Sequence, residues 1–330
     1  MVGEPSRQVD VDALGDVATS LIETQRTLAV VVTLGGEVVV ERYGATPDTL
    51  FGPGAPVQPD TPLVSWSMAK SITHALVGLL VGDGLLDPDE PAPIDAWRTT
   101  PKERITLQHL LTMTPGLEFV EDYVDAGISH CIEMLFGSGR DDMAAYAAAL
   151  PLVAEPGTVW NYSSGTTNII SSIIGSVVGG REGVEALATT RLFDPLGMST
   201  ARLDFDGSGT FVGSSFVHAS ARDYARFGRL YLDDGCTPDG HRLLPDGWVD
   251  HARRPTATDP ESGFGYGAHW WLWPDLPGSL AAHGYEGQYT LVVPDRDLVV
   301  VHLGKWTADE RLELEGHLRR IVEVVGEPSS

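Results

Sequence analysis

The sequence predicts an α+β protein: one antiparallel sheet flanked by N- and C-terminal helices, with a mostly helical region inserted. Three observations lead there. Strand-like runs occupy residues 28–43 and return within 266–303, helical spacing dominates from 67 to about 198, and both ends carry amphipathic helical patterns. Residues 1–62 and 205–330 are therefore expected to build the sheet region, and 63–204 the mainly helical region. A cleft is expected between the two layers.

At the N-terminus, Leu14, Val17, Leu21 and Ile22 share one face of an expected helix over Val11–Gln25. Two β-branched runs, Leu28–Leu34 and Glu37–Tyr43, flank Gly35-Gly36 and read as a β-hairpin. Pro/Gly-rich loop follows from Gly52 to Pro62. Between Ser67 and Leu86, Met68, Ile72, Ala75, Leu76, Leu79 and Leu80 recur at helical spacing. Loop over Asp87–Pro93 leads to expected helices at Leu107–Thr112, Met143–Leu150, Thr167–Val178 and Val184–Leu192. A helix over Ser220–Leu232 precedes turn-rich chain. Strands are expected at Tyr266–Trp273, Tyr289–Val293 and Leu298–Leu303, then a closing helix over Ala308–Val325.

Composition narrows the function classes. At 330 residues, 42% hydrophobic and 21% charged, the chain is long enough for a substantial core and is not a disordered one. A net charge of −24 disfavours nucleic acid and anionic membranes, which need clustered cations. No apolar run approaches the roughly 20 residues that span a bilayer. The first six residues lack the apolar core of a signal peptide, so the expected location is cytoplasmic. Cys131 and Cys236 are far apart and read as free thiols. No metal or other cofactor is expected, because HExxH is missing and the ten histidines are dispersed. Oligomeric state is not legible.

Three segments carry chemistry. The first is Ser67-Met68-Ala69-Lys70, an S-x-x-K tetrad heading the most apolar helix. Spacing of three places both side chains on one helix face, within reach of each other. Lys70 is one of only three lysines, and burial beside an apolar stripe lowers an amine's pKa toward that of a useful base. The tetrad alone recurs by chance; its place at a helix start, near free N–H groups, suits a developing oxyanion. The second segment is Pro156–Gly165, where Tyr162 is a candidate acid or base if a nearby cation lowers its pKa from about 10. Taken alone, Tyr162 is better read as packing against and capping a loop than as catalytic. The third is His283-Gly284-Tyr285-Glu286-Gly287-Gln288 at a strand edge, where glycine permits close backbone approach. G-x-S-x-G is absent, which argues against a nucleophile elbow.

In this order the segments resemble the serine β-lactamase and penicillin-binding superfamily, in particular its class C-like branch. Supporting blocks are Ser65–Ser71, Ile105–Leu117, Pro156–Ser164, Ser220–Gly228 and Gly284–Tyr289, spread over nearly the whole chain. Within the branch the chain looks most like 6-aminohexanoate-dimer hydrolases and related carboxylesterases. Tyr162-Ser163-Ser164 stands where class C β-lactamases carry Tyr-x-Asn, and Gly284–Gln288 matches a Gly-x-x-Gly-Gln pattern. The lysine of the lactamase Lys-Thr-Gly motif has no equivalent, with His283 nearest to its place.

The resemblance implies a β-lactamase/transpeptidase-like fold and acyl transfer through a covalent ester on Ser67, with Lys70 and Tyr162 sharing the proton. It implies oxyanion N–H groups from Ser67 and from the Gly284–Glu286 stretch, Tyr285 being the choice, and places Ser164 and His283 beside the substrate or proton network. The substrate is then a small-molecule carboxylic ester or short linear amide. Alternatives are a β-lactamase or D-Ala-D-Ala carboxypeptidase, and a ligand-binding homologue without activity. Trp160, the Phe119–Cys131 stretch and the Trp270–Trp273 cluster are candidate walls, with at least two of the tryptophans expected in the core.

Overall fold

The computed structural model describes residues 9–326 except 49, 51, 124–126 and 128. The sequence reading of the first six residues lies outside the described residues. Helix α1 (Val11–Glu23) starts where the Asp10 carboxylate accepts the Ala13 N–H at 2.9 Å, and it buries Leu14, Ala18 and Leu21. The hairpin of β1 (Thr27–Leu34) and β2 (Glu37–Tyr43) turns at Gly35 and Gly36, both at positive φ (59° and 85°). That is the backbone two-residue hairpins favour, and glycine adopts it without a Cβ clash.

Next come a short strand β3 (Leu63–Val64) and helix α2 (Ala69–Gly82). Helices α3 (Leu107–Leu111), α4 (His130–Phe136), α5 (Met143–Ala149), α6 (Ser164–Val178), α7 (Arg181–Ala188) and α8 (Asp194–Leu196) follow. Strands β4 (Arg202–Leu203) and β5 (Val217–Ala219) join β3 in a small sheet of order β3-β5-β4. After α9 (Ala221–Leu232) and α10 (Trp248–Arg253) the chain returns to the main sheet. It does so through β6 (Ala257–Thr258), β7 (Gly265–Tyr266), β8 (Trp271–Leu272), β9 (Leu280–Gly284), β10 (Gln288–Val293) and β11 (Leu298–Gly304), then ends in α11 (Arg311–Val325).

The main sheet runs β2-β1-β11-β10-β9-β8-β7-β6, antiparallel between neighbours. Both faces are covered. Along β1, Ala29 and Val31 face the core shared with α2, α6 and α9, while Val30 and Val32 face the core under α1 and α11. This explains why β1 reads as an unbroken apolar run. The fold is thus α+β as expected, with the ends of the chain meeting in one sheet.

Several elements differ from the sequence reading. The helix expected from Ser67 starts at Ala69, because residues 66–68 form a 3₁₀ turn, and it stops at Gly82. The strand expected over Tyr266–Trp273 divides into β7 and β8 around His269, whose φ is +58°. Strand β9 and helices α4 and α10 carry no strong periodic signal. Leu280-Ala281-Ala282 is alanine-rich, and its pairing with β10 rather than local propensity makes it a strand. Val184–Leu192 is helical, but its second half is a π-helical turn over Thr189–Phe193.

Candidate active site

Ser67 sits at the junction of the two sheets. Ser65 Oγ donates to the Ser215 carbonyl (3.1 Å) and accepts the Val217 N–H (3.1 Å), tying this segment to β5. Trp66 then adopts a left-handed φ of +44°, a strained backbone for a bulky residue. Its indole N–H donates to Glu286 Oε2 (3.2 Å), and its ring meets Tyr285 edge-on at 5.8 Å. The strain is therefore held by the turn between β9 and β10. Gly284 makes this closeness possible: a Cβ there would lie 2.3 Å from the Ser65 carbonyl oxygen. The glycine thus serves the approach of one backbone to another. Gly284→Val is expected to push β9 off the 65–68 turn, lowering thermal stability by about 1–3 kcal/mol and slowing Ser67 labelling by an active-site phosphonate. A parent-like melt and labelling rate would contradict this.

Lys70 lies on the first turn of α2 and is only 2% exposed, whereas Ser67 remains partly open. The Lys70 side-chain nitrogen makes three contacts: Ser67 Oγ at 2.9 Å, Ser164 Oγ at 3.0 Å and the Ser214 carbonyl at 3.0 Å. It also stands 4.8 Å from the centre of the Tyr162 ring. Burial lowers the Lys70 pKa from its ordinary value, and the Glu121 carboxylate opposes that shift.

The Tyr162 phenol is close enough to the Ser67 hydroxyl for that hydroxyl to act on its pKa. Its pKa is raised, first by burial and then by Glu121, with the Ser67 contact opposing. No cation depresses it, so the expected condition for Tyr162 to act as a base is not met. It is a neutral phenol, able to donate. Ser67, Lys70, Tyr162 and Ser164 are brought together as one cluster.

The Ser164 backbone N–H donates to Glu121 Oε2 at 2.7 Å and its hydroxyl donates to Oε1 at 2.5 Å. Ser163 caps α6 by accepting the Thr166 N–H at 3.0 Å, so Glu121 faces a helix N-terminus. Tyr123 OH also donates to Glu121, and the Cys131 thiol approaches it at 3.6 Å. Glu121, Tyr123 and the Ser214 carbonyl were not singled out from sequence. The signal available was the Phe119–Cys131 stretch, which the sequence offers as a candidate wall and which contains both Glu121 and Tyr123.

His283 lies elsewhere, which corrects the expectation that it faces the substrate. On β9 it follows Ala281 to the face under α1 and α11. It accepts from Trp273 Nε1 at 2.9 Å and stacks on Trp271, with rings 5.3 Å apart at 10°. Trp271 in turn packs on Tyr162, with ring centroids 5.3 Å apart, so it contacts both residues. Burial takes the His283 pKa down to about 3, with Arg311 adding to the shift. Trp270 and Trp273 are core residues, while Trp160 and Trp271 form an aromatic wall beside Tyr162 with Tyr266. On the other side, Trp66, Phe216 and the exposed Phe136 form a second apolar edge. A cavity of about 540 Å³ opens beside the β9–β10 turn, lined by Tyr123, Tyr285, Lys305, Trp306 and Arg311. Both cations are already paired, Lys305 with Glu286 (2.5 Å) and Arg311 with Glu315 (2.9 Å).

An antiparallel sheet with helices on both faces, and a Ser-x-x-Lys pair meeting a tyrosine between its layers, define the β-lactamase and penicillin-binding superfamily of hydrolases. Residues 18–322 match the family described as Beta-lactamase, and the chain belongs to that family. A 6-aminohexanoate-dimer hydrolase of Paenarthrobacter ureafaciens is 30% identical over 322 residues, spanning 92% of this chain and 79% of that protein. Penicillin-binding protein 4 of Amycolatopsis lactamdurans is 27% identical over 297 residues, spanning 76% and 74%. A family VIII carboxylesterase structure shares the fold, with a TM-score of 0.74 at 16% identity and 96% of each chain covered. Among the described residues no helix is long and apolar enough to cross a membrane.

Proposed function

We propose that this protein is a serine hydrolase that cleaves carboxylic esters or short linear amides through an acyl-enzyme on Ser67. The observation that carries this reading is the buried Lys70 amine, 2.9 Å from a partly exposed Ser67 hydroxyl. Lys70 accepts the Ser67 proton as the oxygen attacks the substrate carbonyl carbon. The developing oxyanion takes hydrogen bonds from the Ser67 N–H and from Tyr285 on the β9–β10 turn. Tyr162, kept protonated by burial, donates its proton to the leaving oxygen or nitrogen and is reprotonated from Lys70. Water then attacks the ester carbonyl, giving its proton to the same network and freeing Ser67.

Two features favour esters and linear amides over β-lactams. The flanks of Ser67 are aromatic, and the cations near the β9–β10 turn are paired with carboxylates, leaving no ready partner for a lactam carboxylate. The test is turnover of p-nitrophenyl acyl esters, a linear 6-aminohexanoate amide and nitrocefin by parent and Ser67→Ala proteins. Ester or amide turnover lost in Ser67→Ala supports the reading. Turnover surviving in that variant, or nitrocefin hydrolysis matching the ester rate, overturns it.

A further inference from the structure

Lys70 has three partners, and the direction of each hydrogen bond decides what the amine does. The Ser214 oxygen is a carbonyl and only accepts, so Lys70 donates to it. Ser164 Oγ carries one proton, and that proton goes to Glu121 Oε1. Ser164 Oγ therefore accepts from Lys70 as well. A neutral amine has two N–H bonds and one lone pair. With both N–H bonds committed, the lone pair faces Ser67 Oγ, the third partner.

We propose that Glu121 is a positioning residue of acyl transfer: by taking the Ser164 proton it orients the Lys70 lone pair toward Ser67. This rests on the proposed acyl-transfer function. The carboxylate is well held for the task, receiving the Ser164 N–H and hydroxyl at the head of α6, Tyr123 OH and the Cys131 thiol. The Tyr123 ring also meets that of Tyr285 at a tilt, centroids 5.0 Å apart, so the same residue links the amine network to the β9–β10 turn.

Glu121 also acts on Lys70 through charge. The other titratable groups about the cluster are Tyr162, Tyr123, Cys131 on α4, Tyr266 on β7 and His269 between β7 and β8. Burial raises the pKa of the three tyrosines and of Cys131, and it lowers His269 to about 3. These groups are neutral near pH 7, leaving Glu121 as the acidic group that opposes Lys70 deprotonation.

The experiment follows fluorophosphonate labelling by intact mass against pH, together with kcat and KM for p-nitrophenyl butyrate. The proteins are the parent, Glu121→Gln, Glu121→Asp and Ser164→Ala. A Gln amide supplies its own donor to Ser164 Oγ and reverses the chain of bonds. Glu121→Gln is expected to lower labelling rate and kcat by about tenfold or more with KM nearly unchanged. Its acid limb should move to lower pH, because a negative charge near the amine is gone. Glu121→Asp keeps the charge and should keep the parent limb. Ser164→Ala, which removes the intermediary without touching the carboxylate, should show a comparable rate loss.

Parent-like rates and limb in Glu121→Gln, equal losses in Gln and Asp variants with an unmoved limb, or a parent-like Ser164→Ala each overturn the proposal. Failure of the parent to be labelled at all would instead bring down the acyl-transfer reading, and this inference with it.

Discussion

Arginine in place of Lys70 is expected to reduce kcat/KM for p-nitrophenyl acetate by about 10³–10⁴-fold. A basic side chain that donates hydrogen bonds is kept, but a guanidinium has no lone pair to offer Ser67 and does not give up its proton at any pH the protein survives. The substitution thus separates a lysine that holds structure from one that accepts a proton. Burial already lowers the native amine's pKa, the direction that lets it cycle between forms. Initial rates on freshly folded protein, with a circular dichroism spectrum matching the parent, are the measurement. A variant within about tenfold of the parent would contradict the role given to Lys70.

Stability is expected to fall steeply with acid. Five histidines are held neutral: His74, His251, His269, His283 and His302. Burial is the leading cause in each, taking His251 and His302 to about 4, His269 and His283 to about 3, and His74 well below its usual value. His74 and His251 share a directed chain behind α2. With Gln108 Oε1 as the terminal acceptor of the His251 Nε2 proton (2.8 Å), His251 Nδ1 accepts from His74 Nε2 (3.2 Å), and His74 Nδ1 accepts from Tyr231 OH (2.7 Å). That chain closes only with both rings neutral.

An unfolded histidine titrates near 6.5 and so binds a proton before the folded one does. The stability these groups supply is therefore present above about pH 6.5 and is lost as pH falls toward 3–4. Each loses about 1.4 kcal/mol per pH unit over that window. Several acting together rival a whole domain stability of about 5–15 kcal/mol. The urea midpoint is expected to drop by about half between pH 7.5 and 5.5. An unchanged midpoint would contradict neutral burial of these rings.

What was legible in the sequence was chemistry with a local geometry. Ser67 and Lys70 are one helical turn apart, so their meeting follows from spacing. The strand-forming ends and the Gly35-Gly36 hairpin follow from patterning and turn chemistry. Tyr162 stands out only through the family resemblance, since a tyrosine with small hydroxyl neighbours ahead of α6 reads by itself as loop packing. Glu121 is not legible in this way: no periodic pattern marks it, and its meaning arises only when α6 presents Ser164 to it. His283 was misplaced because β9 has no alternating signal to say which face it presents. Once β9 is paired with β10, alternation sends it against Trp271. Gly284 permits a close backbone approach, as a strand-edge glycine suggests, and it is the Ser65 backbone that makes that approach.

Intact-mass analysis after exposure to a fluorophosphonate is the decisive measurement of Ser67 activation by Lys70. A single adduct on the parent, mapped to the peptide containing Ser67 and lost in both Ser67→Ala and Lys70→Arg, is the expected result. No adduct on the parent, or one that persists when Ser67 is alanine, would mean that a dehydrated amine is not activating this hydroxyl.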